Sequence, residues 1–78
     1  MRDIVVYTRA GCHLCDEAIA LLARFGLPFE SVDIDSNRQL RAQYDQCVPV
    51  VVIDGKERFR GRIDELLLRR LLAQSNPP

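Results

Sequence analysis

The runs Asp3–Tyr7 (DIVVY) and Val48–Ile53 (VPVVVI) carry apolar side chains at successive rather than alternate positions. Successive side chains of a strand point to opposite faces, so a run without alternation needs cover on both. The first strand is therefore expected at the centre of its sheet, with helices packed on the faces. Pro49 stands at the start of the second run, the end of a strand at which proline is tolerated.

The rest of the chain supplies the cover. Leu14, Ala18, Leu21, Leu22 and Phe25 form an apolar stripe at helical spacing that Gly26 and Pro28 stop, which predicts a helix from about His13 to Phe25. Phe29–Asp35 (FESVDID) alternates and is partly polar, as expected of a strand covered less completely. Ser36 followed by Gln39 has the capping-box pattern, and Leu40 with Tyr44 gives one apolar side, so a short helix is expected over about Asn37–Asp45. Asp54-Gly55 is a two-residue hairpin signal, and KERFR returns as a polar edge strand. IDELLLRRLLAQ predicts a last helix with Leu67, Leu68 and Leu71 on one face, and Asn76–Pro78 a frayed tail.

The order is β-α-β-α-β-β-α. A right-handed crossover makes the first two strands parallel and the hairpin makes the last two antiparallel, so the fold class is α/β, a four-stranded mixed sheet flanked by three helices. Residues 1–78 read as a single domain without repeats or linkers. The content is 47% hydrophobic with four glycines and four prolines, a globular composition. Eleven basic and eleven acidic residues balance, so bulk charge draws the chain neither to nucleic acid nor to an anionic membrane. Three cysteines are an odd number for a disulfide framework. With no apolar leader and no long apolar span, they point to a reducing, cytoplasmic setting, in which a CxxC is catalytic or metal-binding more often than structural.

That CxxC is Cys12-His13-Leu14-Cys15. Thiolate is the attacking form of cysteine, and Cys12 falls where strand gives way to helix, so unpaired N–H groups and the positive end of the helix dipole would stabilise it. Cys15, one turn further in, would be less exposed. This asymmetry makes Cys12 the attacking thiol and Cys15 the resolving one. A cationic His13 would favour the Cys12 thiolate, whereas an outward His13 would only occupy the first turn. Two structural cysteines, or half of a zinc or iron–sulfur site completed by a second chain, are the other readings of the motif. No complete metal-ligand set is expected within one chain, since structural zinc takes four ligands.

The sequence resembles the glutaredoxin family of the thioredoxin fold, in particular its small bacterial glutaredoxin-like members. The resemblance rests on VVYTRAGCHLC, the helix after it, CVPVVVIDG, and GRIDEL opening the last helix. It implies a thiol–disulfide oxidoreductase that reduces protein disulfides or glutathione mixed disulfides, with no tightly bound cofactor, glutathione as co-substrate, client proteins as partners, and a monomeric state. By position, Pro49 would be the family's cis-proline opposite the cysteines, and Val48 would offer its backbone to an extended substrate. Arg9 would meet a glutathione carboxylate. Asp64 would receive the γ-glutamyl amino group, and the Ile63 and Asp64 N–H groups the neighbouring carboxylate. The chain departs from the family pattern in three places. Ala10-Gly11 replaces a proline and an aromatic, His13-Leu14 replaces Pro-Tyr, and Gly61-Arg62 replaces paired glycines, so that a side chain stands where backbone would approach glutathione. Cys47 takes a place commonly held by threonine, as a third reactive thiol, a metal ligand or a small buried residue. Tyr7 is an active-site wall or core packing. A metal-binding module and a non-catalytic adaptor that binds through Val48 are the alternative functions.

Overall fold

The computed structural model describes residues 3–45 and 47–74; the expected tail at 76–78 lies outside them. The elements are β1 (Ile4–Thr8), α1 (His13–Arg24), β2 (Glu30–Asp33), a 3₁₀ turn (Ile34–Ser36), α2 (Arg38–Tyr44), β3 (Val50–Ile53), β4 (Lys56–Arg60) and α3 (Glu65–Gln74). The sheet order is β2-β1-β3-β4, with β1 parallel to β2 and antiparallel to β3, and β4 antiparallel to β3. This is the mixed α/β sheet expected, and the order is that of the thioredoxin fold.

The non-alternating strands feed two cores. Ile4, Val6, Val51 and Ile53 join Ala18 and Leu22 of α1, Leu68 of α3, and Phe59 and Ile63 on one face. On the other, Val50 packs with Ile34 and Tyr44, and Tyr7, Leu40, Val48 and Val52 are half-buried around them. The cover is unequal because the second face has only the seven-residue α2 and the 3₁₀ turn. β1 is thus central as expected, but Val5 and Tyr7 stay partly exposed while Ile4 and Val6 are buried.

Local chemistry explains the ends. Asp54 and Gly55 both take positive φ, 52° and 81°, the pattern of the hairpin turn whose twist matches the strands it joins. β4 then shifts register so that Val52 faces Glu57 but Val51 faces Phe59, leaving Arg58 as the extra residue of a bulge. A one-residue shift exchanges faces. Phe59 therefore lies opposite Val51 over the α1–α3 core, and Glu57 and Arg60 share the α2 face.

Two expectations are corrected. The cap of α2 is Asn37, not Ser36: its side chain accepts from the Gln39 and Leu40 N–H groups at 2.8 and 3.1 Å, while the Ser36 hydroxyl donates to the Asp33 carbonyl. The inward stripe of α3 is Leu68 with Leu71 and Leu72. Leu67 is 41% exposed and Leu66 65%, because docking on the sheet rotates both toward solvent.

Candidate active site

Sheet register sets the place of the site. Tyr7 lies opposite Val50 and Val50 opposite Arg60, so the segments after β1, before β3 and after β4 leave the sheet at one end. These are residues 9–15, 48–49 and 61–64, which hold seven of the eight predicted site residues in close succession and Arg9 at their edge.

The loop from β1 to α1 is a tight turn closed by the Cys12 N–H donating to the Arg9 carbonyl at 3.2 Å. Gly11 sits third in that turn with φ 78°, a left-handed conformation that a residue with a Cβ adopts at a cost of about 1–2 kcal/mol. The glycine just before Cys12 thus has a backbone cause. Cys12 caps α1: its extended backbone precedes the first turn, and its Sγ accepts from the Cys15 N–H at 3.1 Å. Cys12 and Cys15 are joined as a disulfide with Cα atoms 5.2 Å apart. Cys15 is only 1% exposed whereas Cys12 is half-buried, so an approaching molecule meets Cys12. The asymmetry follows from the helix: Cys15 turns toward the sheet, and Cys12 precedes the first turn.

His13 is 87% exposed in its side chain and pairs through Nε2 with Glu17 one turn along, at 3.1 Å. The Val48–Pro49 peptide is cis and Pro49 is buried. The Pro49 carbonyl accepts from the Gly61 N–H at 2.8 Å, which ties the β4–α3 segment to the cis-proline loop. Among the described residues, no hydrogen bond uses the N–H or C=O of Val48, which is half-buried against the second core.

Arg9 is held by partners within the chain. Its Nε and Nη2 form a two-pronged contact with the Asp35 carboxylate at 3.0 and 2.9 Å. Nη1 reaches the Asp45 carbonyl at 2.8 Å and the Asp45 carboxylate at 2.9 Å. The carboxylates that Arg9 meets belong to this chain, and the contacts fasten the active-site loop to both ends of the α2 segment. The hydrogen bonds that Arg9 donates to these carboxylates hold its pKa above the ordinary value, and the bond to Asp35 holds that carboxyl below its own. Asp64 caps α3, its Oδ1 accepting from the Leu67 N–H at 3.1 Å, while the Ile63 side chain is buried.

On the opposite face of the sheet, Cys47 is a half-buried free thiol whose sulfur receives Arg60 Nη1 at 3.4 Å. The rest of that guanidinium grips Glu57, with both bonds at 2.9 Å. These bonds raise the Arg60 pKa and lower that of Glu57. Tyr7 stacks on Tyr44 with ring centroids 4.9 Å apart, which makes Tyr7 part of the second core. Burial raises the pKa of the Tyr44 hydroxyl. Among the described residues, no three His, Cys, Asp or Glu side chains converge as a metal-ligand set, and no helix is long and apolar enough to cross a membrane.

One feature escaped sequence reasoning. A groove of about 360 Å³ runs between α1 and the segment before α3, from Leu14 within the CxxC to Arg24, with Arg62 and Ile63 on its far side. The helical spacing of Leu14, Ala18 and Leu21 was its visible signal, but a stripe at that spacing reads equally well as core.

A CxxC at a helix start, beside a cis-proline at the end of a four-stranded mixed sheet, defines a thioredoxin-fold protein with a redox-type cysteine pair. Residues 3–73 match the family model described as Glutaredoxin-like domain (DUF836), and the chain belongs to that family. It is 34% identical over 80 residues to N-acetyl-S-hydroxy-L-cysteine reductase of Bacillus subtilis, covering 95% of this chain and 85% of that one. It is 32% identical over 88 residues to the uncharacterized protein Rv0508 of Mycobacterium tuberculosis, covering 97% and 91%. Among solved structures, the X-ray structure of protein XcR50 from X. campestris superposes with a TM-score of 0.77 at 35% identity, covering 92% of this chain and 97% of that one.

Proposed function

We propose that the protein is a thiol–disulfide oxidoreductase of glutaredoxin type, acting on disulfides of proteins or of low-molecular-weight thiols, glutathione among them. The observation that carries this reading is the unequal exposure of the CxxC, with Cys12 accessible at a helix N-terminus and Cys15 buried one turn in. In the reduced protein the Cys12 thiolate attacks one sulfur of a disulfide R–S–S–R′, forming Cys12–S–S–R and releasing R′S⁻. The Cys15 thiolate then attacks Cys12 Sγ, forms the Cys12–Cys15 disulfide and releases RS⁻. With a sulfenic acid R–SOH, the first step takes up one proton and releases water. A low-molecular-weight thiol or a dithiol protein returns the pair to the reduced state.

Three features support the reading. Negative charge on Cys12 Sγ is stabilised by the Cys15 N–H and by the helix dipole, a contribution of about 0.3–1 kcal/mol for an exposed group. The Val48 backbone, without a hydrogen-bond partner among the described residues and next to the cis-proline, suits an extended substrate, and the reductase from Bacillus subtilis has a name of the same reaction class. Glutathione has less support as the specific thiol. Arg9 is engaged internally, Gly11 removes an aromatic wall, and Arg62 stands in the approach.

The test is turnover of a glutathione mixed disulfide by single-cysteine variants. Cys12→Ser should abolish it, while Cys15→Ser should retain part of it and trap a mixed disulfide visible as added mass. Activity that survives in Cys12→Ser would sink the assignment.

A further inference from the structure

Cys12 takes its place from a series of contacts that begins at Arg9. Arg9 is the first residue after β1, and its carbonyl accepts the Cys12 N–H at 3.2 Å, so the direction of the Arg9 peptide sets where Cys12 stands. Cys12 in turn caps α1, its Sγ accepting from the Cys15 N–H. Between Arg9 and Cys12 stand only Ala10 and Gly11, both exposed, which bury no side chain that could hold the turn. Its order therefore depends on its ends. At the Arg9 end, Nε and Nη2 close on both oxygens of Asp35, and Nη1 on the carbonyl and the carboxylate of Asp45. The fold places both anchors. Asp35 follows β2, whose Asp33 lies opposite Thr8, and its N–H donates to the Asp33 side chain at 2.9 Å. Asp45 ends α2 and leads into the Pro49 loop.

Resting on the oxidoreductase reading above, we propose that Arg9 is a positioning residue for Cys12: clamped by Asp35 and Asp45, it holds the turn in the arrangement in which Sγ caps α1. A cation can also assist a thiolate through its field, but the charges here oppose that. One guanidinium faces two carboxylates, so the cluster as a whole is anionic and its field disfavours a second anion nearby. What Arg9 gives Cys12 is therefore geometric. The two-pronged contact suits this role, because a planar fork on a carboxylate fixes direction as well as distance. Arg9 exchanges no proton or electron, and the covalent steps of Cys12 and Cys15 are unchanged.

The experiment exploits the opposite signs that a clamp and a field predict. In the full chain carrying Cys15→Ser, which keeps Cys12 a free thiol, alkylation by iodoacetamide is followed across pH and assigned to Cys12, apart from Cys47, by peptide mass. Each profile divided by its own alkaline plateau gives the thiolate fraction. The exposed His13 beside Glu17 and the neighbouring Asp16 are common to every variant and cancel in the comparison. Asp35→Asn removes a negative charge and leaves at most one prong. A field would raise the thiolate fraction on the acid limb, whereas loss of the clamp should lower it about two- to fivefold, the range that an interaction at a helix terminus covers. Arg9→Met should lower it similarly, and the double variant by no more than either alone, since both break one device. Arg9→Lys, which keeps the charge but not the fork, should stay nearer Arg9→Met than the parent. Glu30→Gln, a charge on β2 outside the clamp, should leave the profile in place. A merely structural role for Arg9 would lower Tm without moving the normalised profile, and that result would overturn the inference. So would a rise with Asp35→Asn, which decides the matter by itself if Arg9→Met does not fold. Either leaves Cys12 as nucleophile, whereas turnover surviving in Cys12→Ser would remove the reaction that the clamp serves.

Discussion

Leu66, Leu67 and Leu68 are three identical residues in a row, and the structure gives them different weights. Leu68 is 0% exposed and Leu66 is 65% exposed. Truncating Leu68 to alanine removes three carbons from a core shared with Val6, Leu22, Val51 and Ile63. At about 0.8 kcal/mol per buried carbon the lost transfer energy is about 2.4 kcal/mol, and the cavity left behind raises the cost to about 3–5 kcal/mol. A chain of this length has about 4–12 kcal/mol of total stability, so Leu68→Ala should remove about a quarter or more of it and lower Tm by about 12 °C or more. In Leu66→Ala most of the same carbons leave water rather than core, and the cost should stay within about 0.5 kcal/mol. Urea and thermal unfolding followed by circular dichroism, on both variants in the same redox state, measure the contrast. Equal costs at the two positions, or a loss below about 1 kcal/mol at Leu68, would refute the docking of α3.

Two further perturbations follow from the site's supports. Asp35→Asn should lower Tm near neutral pH, because the Asp35 carboxyl is held below its ordinary value of 3.8 by its hydrogen bond to Arg9. That contribution is complete above the ordinary value and is lost as pH falls through the lowered one, so the gap from the parent should close as pH falls below that lowered value and narrow in high salt. A gap that persists in acid would contradict the ion-pair account. Asn37→Ala should cost about 1 kcal/mol by removing the cap of α2, whereas Ser36→Ala should cost less. The reverse ranking in denaturant unfolding would restore Ser36 as the cap.

The nature of the elements was legible because each depends on neighbours within a turn or two. Strand runs without alternation, the Asp54-Gly55 hairpin, and an apolar stripe starting just after a CxxC are local patterns. The chemistry of Cys12 and Cys15 was legible for the same reason, since a cysteine before a helix and another one turn inside it differ in exposure by helix geometry alone. The Arg9–Asp35 pair was not legible because nothing near Arg9 in sequence announces Asp35, 26 residues away. Parallel pairing brings the end of β2 beside the end of β1 and so sets that carboxylate within reach.

The sequence by itself therefore determined the order of elements, the handed crossover, and the pair of thiols at a helix start, all of which follow from local periodicity and turn chemistry. Tertiary structure alone decided which leucines of α3 face inward, that a bulge at Arg58 turns Phe59 to the α1–α3 core, and that Arg9 is satisfied from within. Those outcomes depend on register and docking angle, where a shift of one residue exchanges a buried face for an exposed one, and no local pattern encodes which partner a distant segment will present.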